Sequence, residues 1–133
     1  MKPFQLEIVT PDGLAFTGEV ESLLIRTDDG DVELLHGHAD FLASIATGRA
    51  RLLIDGKPRF ASASGGFVSV QNGVTRVVAI TFEFAENIDI SRAKAAKERA
   101  EAAIERANDE REELVAKAKL ARAVNRINVA ELL

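Results

Sequence analysis

This sequence predicts an antiparallel β-sandwich followed by a two-helix antiparallel hairpin. Three observations carry that reading. All nine Gly, all three Pro and all seven Phe lie before Glu86. Residues 87–133 contain none of these but hold twelve Ala and nineteen charged residues. Before the divide, apolar residues recur in short runs between turn-forming clusters; after it they recur at helical spacing. So sharp a shift of composition separates two modules, here a β-sandwich domain over 1–86 and a helical hairpin over 87–133.

Taken in order, residues 3–10 alternate, with Phe4, Leu6 and Ile8 on one side and Gln5 and Glu7 on the other, the period of a half-buried strand. Pro11-Asp12-Gly13 turns the chain. Residues 14–26 read as one long second strand, with Gly18 marking a bulge or a close backbone approach. After Asp28-Asp29-Gly30-Asp31 come a short strand over 32–35, a polar loop over 36–40 and a strand over 41–46. Two hairpins follow. Strands 49–54 and 57–63 flank Asp55-Gly56; strands 67–70 and 74–80 flank Asn72-Gly73. Both dipeptides favour tight turns with two successive positive φ angles. Gly65-Gly66 separates the hairpins. Many short strands with no helical window between them argue a sandwich.

Past the divide, Asp89 is a helix N-cap and helices are predicted over 90–106 and 110–128. The first carries a narrow stripe of Ala93, Ala96, Ala100, Ala103, Ile104 and Ala107. Asn108-Asp109-Glu110 breaks the pattern, with Asp109 as the next N-cap and Glu112 three residues on. The expected stripe of the second helix is Leu114, Ala118, Ala121, then Val124 or Asn125. A seam of alanine methyls buries little area, so the hairpin is expected to be marginal.

The net charge is −4 over 133 residues and the apolar share is 47%, which excludes disorder and offers no basic footprint for nucleic acid. With no Cys, neither a disulfide framework nor a thiolate metal site exists. The start lacks an apolar signal run, and no window approaches the roughly 18 apolar residues of a spanning helix. There is no phosphate-binding Gly-Lys-Ser/Thr loop, no Gly-x-Ser-x-Gly and no Cys nucleophile. His36 and His38, with Asp31 and Asp40 nearby, have a spacing compatible with a metal; the plainer reading is a turn histidine and a packed one.

The arginines of the hairpin carry more. Arg92 and Arg99 are seven apart on one helix face, and Arg122 and Arg126 are four apart on one face. Folding the hairpin near residue 109 sets Arg92 beside Arg126 and Arg99 beside Arg122. Four guanidinium groups without matching acids suit an anionic ligand, because each planar fork offers phosphate two parallel donors. The same spacing fits a solvated face with intrahelical pairs such as Lys94–Glu98 and Lys97–Glu101.

Along its whole length the chain resembles the epsilon-subunit family of F-type ATP synthases. The resemblance lies in Phe16-x-Gly18-x-Val20, Gly37-His38-Ala39 with Leu42, Gly65-Gly66-Phe67 with Val70, Asn72-Gly73-Val74-Thr75, and Ile88-Asp89-x-x-Arg92-Ala93. It implies a non-catalytic rotor subunit between the gamma subunit and the c-ring, and a peripheral place on the cytoplasmic face of a bacterial membrane. It implies a hairpin that inhibits ATP hydrolysis by extending to the alpha/beta head, and a monomer when isolated. In ATP-binding bacterial members the Ile/Leu-Asp-x-x-Arg-Ala motif is the signature. Carried over, the ATP-binding positions are Glu83, Ile88, Asp89, Arg92, Ala93, Arg99, Arg122 and Arg126, with ATP as a regulatory ligand and Mg not required. The ring- and gamma-facing positions are Asp31, Glu33, Gly37, His38, Asp40 and Leu42. One departure stands there: the family commonly has Gly-Ile-Leu-Pro where this chain has Glu33-Leu34-Leu35-His36. Two other functions fit the sequence: a sandwich module with a docking hairpin and no ligand, and a small nucleotide hydrolase, which lacks an evident base and metal carboxylates.

Overall fold

The computed structural model describes residues 1–133 and divides into two compact units, Met1–Phe84 and Ala85–Leu133. The first is built of eight strands: β1 (Phe4–Thr10), β2 (Gly13–Val20), β3 (Ser22–Thr27), β4 (Gly30–Leu34), β5 (Phe41–Ser44), β6 (Gly48–Ile54), β7 (Lys57–Gln71) and β8 (Val74–Phe84). They hydrogen-bond in the order β2-β1-β8-β7-β6-β3-β4, with β5 also on β7.

Alternation decides which side chains face inward. Phe4, Leu6 and Ile8 of β1, Leu23 and Ile25 of β3, Ala50 and Leu52 of β6, and Val68 and Val77 of β7 and β8 are buried together. Every buried member of this core lies between Phe4 and Phe84. Phe84 ends the strand run with its ring edge-on to Phe16 and Phe82, and the Arg59 guanidinium sits 3.5 Å above it. On the solvent side, cross-strand ion pairs join Arg26 to Asp31, Arg51 to Glu33 and Arg76 to Glu7.

Both dipeptide turns form as the sequence predicts. Asp55 and Gly56 take φ of 51° and 75°, and Asn72 and Gly73 take 52° and 80°, two positive angles in succession at each tip.

Three details differ from the sequence reading. The expected strand over 14–26 is two strands, broken at Glu21. The Glu21 N–H donates to the Leu53 carbonyl at 2.7 Å, while its carboxylate accepts from the Gly56 N–H at 2.6 Å. That residue serves the Asp55-Gly56 turn instead of continuing a ladder. The strands expected over 57–63 and 67–70 are one: Gly65 and Gly66, with φ of 73° and 87°, bend β7 without ending it. Its first half pairs with β6 and its second with β5, while β8 runs alongside both. Finally, one pair is not antiparallel. The first strand lies parallel to the last, Gln5 opposite Val74 through Val9 opposite Val78.

The second unit opens with a 3-10 turn, Ala85–Asn87, followed by α1 (Ile90–Arg106) and α2 (Glu110–Ala130). Each helix starts on the aspartate the sequence predicts. The Asp89 side chain accepts from the Arg92 N–H, and that of Asp109 from the Glu112 N–H. Glu112 returns its own carboxylate to the Asn108 N–H at 3.0 Å.

The α1 seam is the expected one, with Ala93 and Ala100 buried. The α2 seam is not. Ala116, Ala123 and Ala130 are buried and Leu120 and Ile127 half-buried, whereas Leu114 is 71% exposed and Ala118 and Ala121 face solvent. Alanine against alanine brings two backbones close, and the larger Leu114 lies outside that contact. The intrahelical pairs Lys94–Glu98 and Lys97–Glu101 are absent; Lys117 pairs with Glu113 at 2.7 Å.

Candidate functional site

The motif Ile88-Asp89-x-x-Arg92-Ala93 starts the hairpin, and its local structure explains most of its residues. Ile88 is buried and donates its N–H to the Ala85 carbonyl at 3.2 Å, closing the 3-10 turn. Asp89 Oδ1 accepts from the Arg92 N–H at 3.1 Å and so satisfies one orphan donor of the first helical turn. The Ala93 N–H donates to the Asp89 carbonyl at 3.0 Å, and the Ala93 methyl is wholly buried in the seam. A larger side chain there would part the helices. Arg92 is the one member whose side chain has no part in this scaffold, and it lies exposed.

The arginines are ordered by the seam. Counted from Asn108, Ala100 and Ala116 are level, as are Ala93 and Ala123. Arg92, Arg99 and Arg106 each stand one residue before a seam alanine of α1, hence on one flank. On α2, Lys119 and Arg126 each stand one residue before Leu120 and Ile127, and a helical wheel sets Arg122 on the same side. In an antiparallel hairpin these two flanks meet. One side of the hairpin thus gathers Arg92, Arg99, Arg106, Lys119, Arg122 and Arg126, with Glu112 as its acid. Arg92, Arg99, Arg106, Lys119 and Arg122 make no ion pair. Arg92 and Arg126 fall within two residues of level, as the sequence predicts. Arg99 is offset by five from Arg122 and lies nearer the level of Lys119. The sequence reading places Arg106 near the turn, outside the nucleotide site, and does not single out Lys119, although the seven-residue series 92–99–106 and the 119–126 spacing put both on this flank.

The remaining candidates sit in the sandwich. Glu83 is on β8 opposite Ser62. Asp31 and Glu33, on β4, pair with Arg26 and Arg51. The hydrogen bond from Arg26 holds the Asp31 carboxyl below its ordinary pKa, against the opposing effect of burial. Gly37 takes φ of 80° in the loop after β4. His38 donates its N–H to the Leu35 carbonyl, turns Nδ1 to the Ala39 carbonyl at 2.7 Å and packs edge-on against Phe41. Asp40 accepts from the Asn72 N–H at 3.3 Å and ties this loop to the β7–β8 turn, leaving Leu42 on β5 as an exposed apolar side chain. The histidines and aspartates here do not gather into a group of three able to hold a metal ion, and no helix is long and apolar enough to cross a membrane.

Comparison with known proteins matches both units. Residues 3–85 fit the family model of the beta-sandwich domain of the ATP synthase delta/epsilon chain, and residues 86–131 that of its long alpha-helix domain. The ATP synthase epsilon chain of Bacillus velezensis is 39% identical over 130 residues, covering 98% of both chains. That of Lactobacillus delbrueckii subsp. bulgaricus is 40% identical over 135 residues, covering 96% of this chain and 92% of the relative. Among solved structures, a chain of the Euglena gracilis mitochondrial ATP synthase (OSCP/F1/c-ring) superposes with a TM-score of 0.81 at 25% identity, over 98% of this chain and 82% of the other. A chain of the Tetrahymena thermophila mitochondrial ATP synthase central stalk/c-ring shares the fold, with a TM-score of 0.64 at 11% identity over 95% of each.

Proposed function

The chain belongs to the ATP synthase epsilon-chain family, non-catalytic subunits of the central stalk, and from that premise we propose a rotor subunit whose hairpin senses ATP and restrains hydrolysis. The observation that carries the proposal is one flank of the hairpin that collects six cations beside a seam of alanines. Clustered like charge opposes closure, and methyl-to-methyl contact contributes little to it. An anion that needs both helices therefore binds the closed form and stabilises it.

In this reading Arg92, Arg99, Arg122 and Arg126 meet the phosphates, so the nucleotide charge is neutralised by guanidinium groups and Mg is not required. Ile88 and Asp89 meet the adenine, and the buried Ala93 keeps the helices close. The family resemblance adds Glu83 on the base or ribose side. At free ATP of 100 times its dissociation constant, the closed form gains about 2.7 kcal/mol, which moves an even balance to about 99:1. When ATP falls, the hairpin opens and extends along the gamma subunit to the alpha/beta head. The sandwich stays on gamma and the c-ring through Asp31, Glu33, Gly37, His38, Asp40 and Leu42, on the cytoplasmic face of a bacterial membrane.

The test is an ATP titration of the isolated chain by amide NMR, paired with hydrolysis by the assembled enzyme. Saturable shifts over residues 88–99 and 122–126, with inhibition relieved over the same ATP range, are expected. A chain that ignores ATP in both assays would be a docking module only.

A further inference from the structure

We propose that the closed end of the hairpin is a second anion site, one that takes a phosphate group and is separate from the nucleotide end. The two helices and their connection border a cleft of about 620 Å3 there, open to solvent, whose lining includes the cations Arg106, Arg111 and Lys119. None of the three forms an ion pair. Two carboxylates share the lining, and each is turned to the backbone: Asp109 accepts from the Glu112 N–H at 2.8 Å and Glu112 from the Asn108 N–H at 3.0 Å. Their charge is thus partly met by peptide donors, while the three cations have only solvent. An entering anion has no salt bridge to break.

Alanine at 103 and 116 keeps the wall shallow, and Arg106 and Arg111 stand nearly level about Asn108, so a compact anion can lie between their two forks with Lys119 further along the cleft. Two guanidinium forks with an ammonium near can meet three oxygens of a phosphate, where a carboxylate offers only two. The site is distinct from the nucleotide end by distance along the helices. Arg106 is seven residues beyond Arg99 and Arg111 eleven before Arg122, which at 1.5 Å per residue is about 10 and 16 Å, while Lys119, one turn from Arg122, stands between the two ends. A single phosphate cannot touch both ends. The inference does not depend on the nucleotide reading.

Free inorganic phosphate and the phosphates of a nucleotide offer the same chemistry, so both are titrated into the labelled full-length chain at physiological ionic strength. Inorganic phosphate should move the amides of residues 103–119 saturably. Arg106→Gln with Arg111→Gln should weaken that binding by about ten-fold, and Lys119→Arg should keep it. Both side chains are exposed, and unchanged helical circular dichroism confirms that the double variant folds. In it, the ATP response of residues 88–99 should match the parent's. Phosphate shifts that fail to saturate, or that survive the double substitution, overturn the site. So does an equal loss of ATP binding in the double variant, which would mean one continuous nucleotide surface. A chain that binds phosphate at the tip but no ATP at the hinge leaves this site standing and removes only the nucleotide reading.

Discussion

Gly66 faces Val78 so closely that a β-carbon on Gly66 would collide with the Val78 carbonyl oxygen. With φ of 87° at the same residue, the bend that lets β7 serve two partners depends on a missing side chain. Gly66→Ala should lower stability by about 3 kcal/mol, from strain plus overpacking. Gly37 is the control: it has φ of 80° but no atom within 4 Å of its would-be β-carbon. Gly37→Ala should lose only about 1 kcal/mol. Urea denaturation of both variants measures this, and equal losses would mean that φ alone matters.

The arginines divide by end. Charge-assisted hydrogen bonds contribute about 1.5–3 kcal/mol each, so Arg92→Ala or Arg126→Ala should weaken ATP by about ten-fold or more. Arg111→Ala, at the tip, should leave it within about two-fold. Isothermal titration reads all three, and equal effects would reduce the site to non-specific attraction.

The seam now specifies where to lock the hairpin. Ala100 and Ala116 are both buried and level about Asn108, so cysteines placed there should form a disulfide that holds the closed form. The oxidised enzyme should hydrolyse ATP freely at low nucleotide, where the reduced enzyme is inhibited. Identical rates at every ATP concentration would sink the switch while leaving ATP binding untouched. A cysteine at the exposed Ala118 should not cross-link to Ala96 across the closed seam.

Asp31 gives a signed pH effect. Its folded pKa lies below the unfolded one, chiefly through the hydrogen bond from Arg26 at 3.0 Å. Its contribution is therefore present above the ordinary aspartate value of about 3.9 and is lost as pH falls through the lower folded value. The pair is largely exposed, so Asp31→Asn should lose no more than about 1 kcal/mol at neutral pH. The gap from the parent should close in acid; a gap that persists at low pH would assign the loss to packing, not charge.

The sandwich was readable because its signals are chemical. Asp55-Gly56 and Asn72-Gly73 demand positive φ, and Phe4, Leu6 and Ile8 alternate without ambiguity. Asp89 and Asp109 announced both helices for the same reason: each supplies an acceptor to unsatisfied donors. The α2 seam was misread because ranking by hydrophobicity picks Leu114 over Ala116, whereas close helix approach rewards the smaller residue. The continuity of β7 and the pairing of β1 with β8 join residues far apart in the chain, and no local pattern records them. In the candidate site, Arg92, Arg99, Arg122 and Arg126 were visible as a charge excess. Only the buried face of α2 showed that they share a flank with Arg106 and Lys119.

The parallel pairing of β1 with β8 has a mechanical consequence. Tension applied between the chain's start and the end of β8 drags these two neighbours in opposite directions along their length. Their ladder, from Gln5 with Val74 to Val9 with Val78, is then loaded in shear, all rungs at once. Tension between the open ends of the antiparallel β7–β8 pair, at Lys57 and Phe84, would peel rungs singly. Single-molecule stretching between Met1 and Ala85 should thus meet a higher rupture force than stretching between Lys57 and Ala85. A central-stalk subunit that carries a helical arm on its last strand is in this way built to take a pull on that arm without unzipping.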